Sequence, residues 1–373
     1  MRGRPAGDGA ARRETVMAND EGRPAGRREG DVPMSKKCKD KDDKDKDKKD
    51  KKKSEKACKD EKKCCGEHGH KGEDACSCGC DDDDEALADE ELERTWDLLD
   101  DVPAVDGFVR LCDDGWQQGW HERNGGNLTY RMTEEEAAAA APYFDEEPRP
   151  WVEIGVTEPT LAGAHFVTTG SGKFMRNVAT DVAGCIGIVE INEAGDAYRI
   201  VWGLANGARP TSEFPTHFMN HAVRMRVTDG AARVIYHAHT PAVIALSFVL
   251  PLEDRTFSRV LWKSMTECPV IFPEGVGVVP WMVPGGTEIA KATSAKMEDY
   301  AAVVWAQHGM FCSGSDFDQT FGLMHTIEKS AQIYRDARIM NGGSDVFRQT
   351  ITDEGLRQVG EAFHVQLREE FLN

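Results

Sequence analysis

Residues 35–63 alternate Lys with Asp or Glu almost without interruption, and this run limits most what the chain can fold into. A segment with no apolar period buries too little surface to offset the entropy of ordering it. Residues 1–33, rich in Arg, Gly, Pro and acids, lack such a period too. Residues 1–80 carry 23 Lys+Arg against 18 Asp+Glu, net +5, whereas the other 293 of the 373 residues carry 23 against 47, net −24. Seven of the eleven cysteines also fall early, at 38, 58, 64, 65, 76, 78 and 80. We therefore divide the chain into a disordered, Lys/Asp- and Cys/His-rich extension, residues 1–84, and one folded body, residues 85–373.

The acidic body has no basic stripe to neutralise phosphate backbones, so nucleic acid is not an expected partner. No apolar run approaches the roughly 20 residues of a membrane-spanning helix. No early apolar segment of about 7–15 residues marks a secretory signal. A cytoplasmic location follows, with Cys112, Cys185, Cys268 and Cys312 as free thiols. In the extension, Cys58, Cys64-Cys65, His68, His70, Cys76, Cys78 and Cys80 precede four aspartates. Thiolates and imidazoles at this density suit zinc, nickel or copper(I). Their spacing matches no paired zinc-finger pattern, so additional metal held for sequestration or delivery is the reading. A redox-sensitive tail and a solvated segment without function stay open.

In the body, apolar residues at helical spacing from Glu85 to His121 predict two helices broken at Val102-Pro103. Strands are expected at 128–131, 166–169, 233–238, 268–272 and 302–305, with a hairpin pairing 186–191 and 198–202. Helices are expected over 134–141, 212–227 with Ser212 as N-cap, 241–250, 288–299 and 316–340. Strands alternating with helices point to a single α/β domain with helices on both sheet faces.

The sharpest chemical signal is Tyr236-His237-Ala238-His239. Residues i and i+2 of a strand face one side, so both imidazoles project together. His308, after the strand 302–305, is the best third ligand of a His₃ site, which leaves coordination positions open for substrate. Two edge histidines and an unrelated core histidine are the plainer alternative. Glu213, in Thr211-Ser212-Glu213, reads either as an acid favouring a helix N-terminus or as a proton-transfer group beside a metal. Asn124–Asn127 and Gly170–Gly172 are glycine-rich turns that suit either a phosphate nest or an ordinary hairpin. The second is no P-loop, since Val167 and Phe174 replace the required Gly and Ser/Thr.

Over about residues 105–345 the body resembles the class II sugar-phosphate aldolases. The resemblance rests on Glu122-Arg123-Asn124-Gly125-Gly126-Asn127-Leu128-Thr129, Thr169-Gly170-Ser171-Gly172-Lys173-Phe174, Pro210-Thr211-Ser212-Glu213, His237-Ala238-His239, Ser264-Met265-Thr266-Glu267-Cys268 and Gln307-His308-Gly309. The first two segments and Thr266-Glu267-Cys268 favour the rhamnulose branch over fuculose aldolases and ribulose-phosphate epimerases. The resemblance implies a three-layer α/β/α fold with a mostly antiparallel sheet, assembled as a homotetramer with fourfold symmetry. It implies one zinc ion per subunit, held by His237, His239 and His308 at subunit boundaries. Asn124, Gly126, Asn127, Ser171, Gly172 and Ser212 would hold the substrate phosphate. Glu213 would be the acid/base, and Glu267 would assist proton transfer in the neighbouring subunit's site. Lys173 is left without a catalytic role. The implied reaction is reversible retro-aldol cleavage of L-rhamnulose 1-phosphate, in rhamnose catabolism. The alternatives are an aldolase or epimerase for another sugar phosphate, such as L-fuculose 1-phosphate, and a non-catalytic metal-binding scaffold.

Overall fold

Buried side chains alternate between two sides along the central strands. In β6 (Val234–Ala238), Val234, Tyr236 and Ala238 join one apolar cluster and Ile235 another. Ala302 and Val304 part in the same way from Val303 and Trp305 in β8 (Ala302–Trp305), and Met310 and Cys312 from Phe311 in β9 (Gly309–Gly314). A sheet apolar on both faces must be covered on both. These coordinates are a computed structural model that describes residues 93–372, so every expectation for 1–84 lies outside the described residues.

The remaining strands are β1 (Asn127–Arg131), β2 (Val152–Glu153), β3 (His165–Thr169), β4 (Ile186–Ile191), β5 (Ala197–Gly203) and β7 (Gly277–Val279). They form one nine-stranded sheet in the order β2-β5-β4-β3-β1-β6-β9-β8-β7. Among the described residues every strand pairing is antiparallel except β7 with β8.

The helices are α1 (Pro103–Gln117), α2 (Glu134–Ala140), α3 (Val182–Cys185), α4 (Phe214–Val227), α5 (Pro241–Leu246), α6 (Asp254–Ser264), α7 (Cys268–Ile271), α8 (Thr287–Lys296), α9 (Phe317–Met340) and α10 (Asp353–Phe363). One face is covered by α1, α5, α6 and α9, through side chains such as Phe108, Val243, Phe257 and Ile327. The other is covered by α4 and α8, through Phe214, Phe218 and Ile289. The three-layer, mostly antiparallel arrangement implied by the resemblance is therefore present. None of the described helices is long and apolar enough to cross a membrane.

Local chemistry explains most element boundaries. Residues 93–101 are helical, and Pro103 opens α1, where its missing N–H costs nothing. Thr133 and Glu136 form a reciprocal capping box on α2. Three expectations need correction. Ser212 does not cap α4, which starts at Phe214 with Glu213 in the capping position. The 268–272 segment is a helical turn and not a strand, because Pro269 suits a first turn and cannot donate to a ladder. The helix from Pro241 ends at Leu246, where Ser247 accepts a hydrogen bond from the Gln307 amide at 2.8 Å. The structure adds β2, α3, α6, β7, β9 and α10, which the sequence patterns did not distinguish.

Candidate active site

His237 sits at the end of β6, opposite Phe311 of β9, with the two rings stacked at 4.3 Å. His239 follows two residues later, and His308 lies in the tight turn between β8 and β9. The three rings are nearly equidistant, with centroids 5.3, 5.0 and 5.0 Å apart. One ligand atom from each lies within 4.8 Å of the others.

The protonation pattern suits a cation. His237 Nδ1 donates to the Met310 carbonyl at 3.1 Å, leaving Nε2 with its lone pair. That Nε2 is buried and has no hydrogen-bond partner. His239 Nδ1 donates to Glu122 Oε1 at 2.6 Å, which likewise frees Nε2. Such outer bonds fix tautomer and ring orientation in histidine metal sites. Burial holds His308 down at about 4 and His237 well below the ordinary range, so both are neutral ligands at pH 7. The donor set therefore fits a borderline divalent ion such as zinc.

Glu213 stands beside this centre. Its Oε2 lies 3.8 Å from His237 Nε2 and accepts from Asn127 Nδ2 at 2.9 Å. With His237 neutral, the first contact is not an ion pair. Burial raises the Glu213 pKa, opposed by the Asn127 hydrogen bond and by His239. The position is fixed by the backbone: Thr211 N–H donates to the Thr169 carbonyl at 2.9 Å and Ser171 N–H to the Arg209 carbonyl at 2.8 Å. The 209–213 segment and the Gly170–Gly172 turn thus form one unit.

The glycine turns close the other side. Gly126 has φ +73°, and a methyl there would lie 2.7 Å from the His237 carbonyl oxygen, so only glycine fits. His121 holds this loop from below, its Nδ1 donating to the Gly125 carbonyl at 2.9 Å and its Nε2 accepting from Tyr236 Oη at 2.7 Å. Asn124, Gly126, Asn127, Ser171, Gly172, Ser212, Glu213 and the three histidines together line a cleft of about 190 Å³. A larger groove of about 690 Å³ beside α6 and α9 contains no histidine, so size alone does not locate the chemistry.

Asn127 borders the cleft, but its carboxamide is engaged at both ends, by Glu213 and by His217 Nε2. Glu267 is exposed at the start of α7 and does not line the cleft, and neither does Lys173. Sequence reading missed Glu122 as the partner of His239, and missed His217. Glu122 stood within a quoted motif, and His217 lies one helical turn after Glu213.

Residues 106–335 match the family model described as the class II aldolase and adducin N-terminal domain. A rhamnulose-1-phosphate aldolase of Escherichia coli O1:K1 / APEC is 46% identical over 261 residues, covering 70% of this chain and 93% of that protein. The rhamnulose-1-phosphate aldolase of Escherichia coli strain SE11 is 45% identical over the same span. Among solved structures, a sugar-phosphate aldolase from Thermotoga maritima superposes with a TM-score of 0.55 at 26% identity, covering 65% of this chain and 97% of that one.

Proposed function

The chain belongs to the class II aldolase and adducin family, and from that premise we propose that it reversibly cleaves L-rhamnulose 1-phosphate to dihydroxyacetone phosphate and L-lactaldehyde. The carrying observation is the conjunction of a trihistidine centre with a buried carboxylate 3.8 Å from one of its ligand atoms. His237, His239 and His308 hold one zinc ion per subunit, which when bound supplies Lewis-acid stabilisation of the charge left by C3–C4 cleavage. Asn124, Gly126, Ser171, Gly172 and Ser212 grip the phosphate through turn amides and side chains, with Asn127 at the edge of that pocket. Glu213 delivers a proton to C3 in cleavage and withdraws it in the reverse direction.

The same reading assigns a homotetramer, in which Glu267 assists the aldehyde oxygen in a neighbouring subunit, and a cytoplasmic location. It takes residues 85–373 as the catalytic domain and the cysteine-rich 1–84 extension as a buffer for additional metal. Deleting the extension lowers zinc occupancy under metal limitation if that role holds; unchanged occupancy and activity overturn it. The central test is a coupled assay for dihydroxyacetone phosphate on rhamnulose 1-phosphate, with and without chelator. Turnover that the chelator abolishes is expected. Preference for fuculose 1-phosphate, or turnover unaffected by complete metal removal, overturns the reading.

A further inference from the structure

A buried chain of hydrogen bonds runs inward from Glu213, and the orientation of the Asn127 carboxamide sets its direction, with the Ile235 carbonyl a further acceptor beside the His217 ring. Asn127 Nδ2 donates to the Glu213 carboxylate at 2.9 Å, so Asn127 Oδ1 is the end turned toward His217 Nε2. An amide oxygen only accepts, hence His217 Nε2 carries the proton. His217 Nδ1 is then the acceptor, and Thr129 Oγ1 donates to it at 2.8 Å. The same Thr129 oxygen lies 2.8 Å from His221 Nε2, which donates to it. Burial keeps both histidines neutral, driving His217 down to about 3 and His221 well below its ordinary value. All four side chains are buried, and they come from β1 and α4, elements that also carry the cleft.

We propose that His217, held in its Nε2–H tautomer by Thr129 and His221, is a positioning residue that fixes which end of Asn127 meets Glu213. If His217 took the other tautomer, Nε2 would present a lone pair to Oδ1. Relief requires turning the carboxamide over, which puts Oδ1 against the carboxylate and repels it from its place. Of these ring nitrogens only His221 Nδ1 lacks a hydrogen-bond partner, so the other His217 tautomer, with Glu213 ionised, adds a mismatch to a network that is otherwise paired. Asn127 thereby orients the acid/base, whatever it contributes to phosphate binding. The proposal rests on the role given to Glu213 above.

Two pairs of variants, made in the zinc-loaded protein, separate this role from mere packing. The readout is deuterium exchange into dihydroxyacetone phosphate in D₂O, which reports proton transfer at the carbon without C–C cleavage. The amide nitrogen of glutamine reaches the place of Nε2, whereas that of asparagine reaches only the place of Nδ1. Exchange is therefore retained within about threefold in His217→Gln and falls about tenfold or more in His217→Asn, with metal content and KM unchanged. Thr129→Ser keeps the rate and Thr129→Val loses it, which provides the answer from β1 should the α4 variants fold poorly. Equal losses within each pair, no loss in either, or losses confined to KM or metal content overturn the proposal. Nitrogen-15 shifts of labelled wild-type histidines, which need no substrate, are expected to show His217 protonated at Nε2; the opposite tautomer also overturns it. A wild-type protein that exchanges nothing brings down the proposed function and this role together, whereas a wild type that exchanges alongside unaffected variants overturns only the role.

Discussion

Each of the residues that meet in the cleft has one job that its neighbours enforce. His237 is committed by the Met310 carbonyl to offering Nε2 outward, and Glu213 is committed by Asn127 to facing the same point. Metal binding and proton transfer should therefore separate on substitution. His237→Ala removes a ligand, so bound zinc and turnover disappear together. Glu213→Gln keeps the shape of the side chain without a transferable proton, so turnover falls about 10²–10⁴-fold while zinc remains. Metal analysis of both purified variants, beside their steady-state rates, checks the contrast. A Glu213→Gln protein without zinc would place that carboxylate among the ligands.

Elements position these residues through contacts that sequence spacing reveals only in part. The His-x-His pair was legible because a strand repeats every second residue, and His308 because it follows a strand. Ser212 misled as a cap, since a hydroxyl before a helix suggests capping whether or not the backbone turns there. The 268–272 segment misled because Val270-Ile271-Phe272 favours strand, yet Pro269 and the burial of Cys268 set a helical turn. Contacts such as Thr129 with His217, 88 residues apart, have no local signal at all. Glu328 is another such case. From within α9 its carboxylate accepts from the Ala242 and Val243 amides at 2.9 and 3.0 Å, holding the first turn of α5 just after His239. Glu328→Ala strands two buried donors, so stability should drop by about 2–5 kcal/mol, with Glu328→Gln losing less. Thermal or denaturant unfolding measures it, and equal stability of the alanine variant would show that water replaces the carboxylate.

At the scale of the whole molecule the buried histidines fix the response to acid. His121, His217 and His221 are neutral in the fold, with burial lowering His121 to about 4, His217 to about 3 and His221 well below its ordinary value. The unfolded chain binds protons at these sites below the ordinary histidine value of 6.5, and the native state does not. Their stability is thus complete above pH 6.5 and is lost as pH falls toward the folded values, by about 1.4 kcal/mol per pH unit for each histidine. Denaturant midpoints between pH 7 and 4.5 should therefore fall steeply, and a flat profile would contradict the neutral assignments. Removing the metal should act more gently. The chelated protein is expected to keep its far-ultraviolet circular dichroism, and adding zinc back should raise Tm with concentration in the manner of any ligand bound by the native state alone.

The reason for that gentleness lies in the ladder between β6 and β9, which pairs His237 with Phe311 and brings the turn bearing His308 alongside. Backbone bonds set where these three histidines stand along the strands and turn, so the ion is not what builds the scaffold. Among divalent ions, selection then rests on the geometry and imidazole character of the site together with which metals are available. Which ion such a protein carries is thus a question of local supply as well as of the pocket itself.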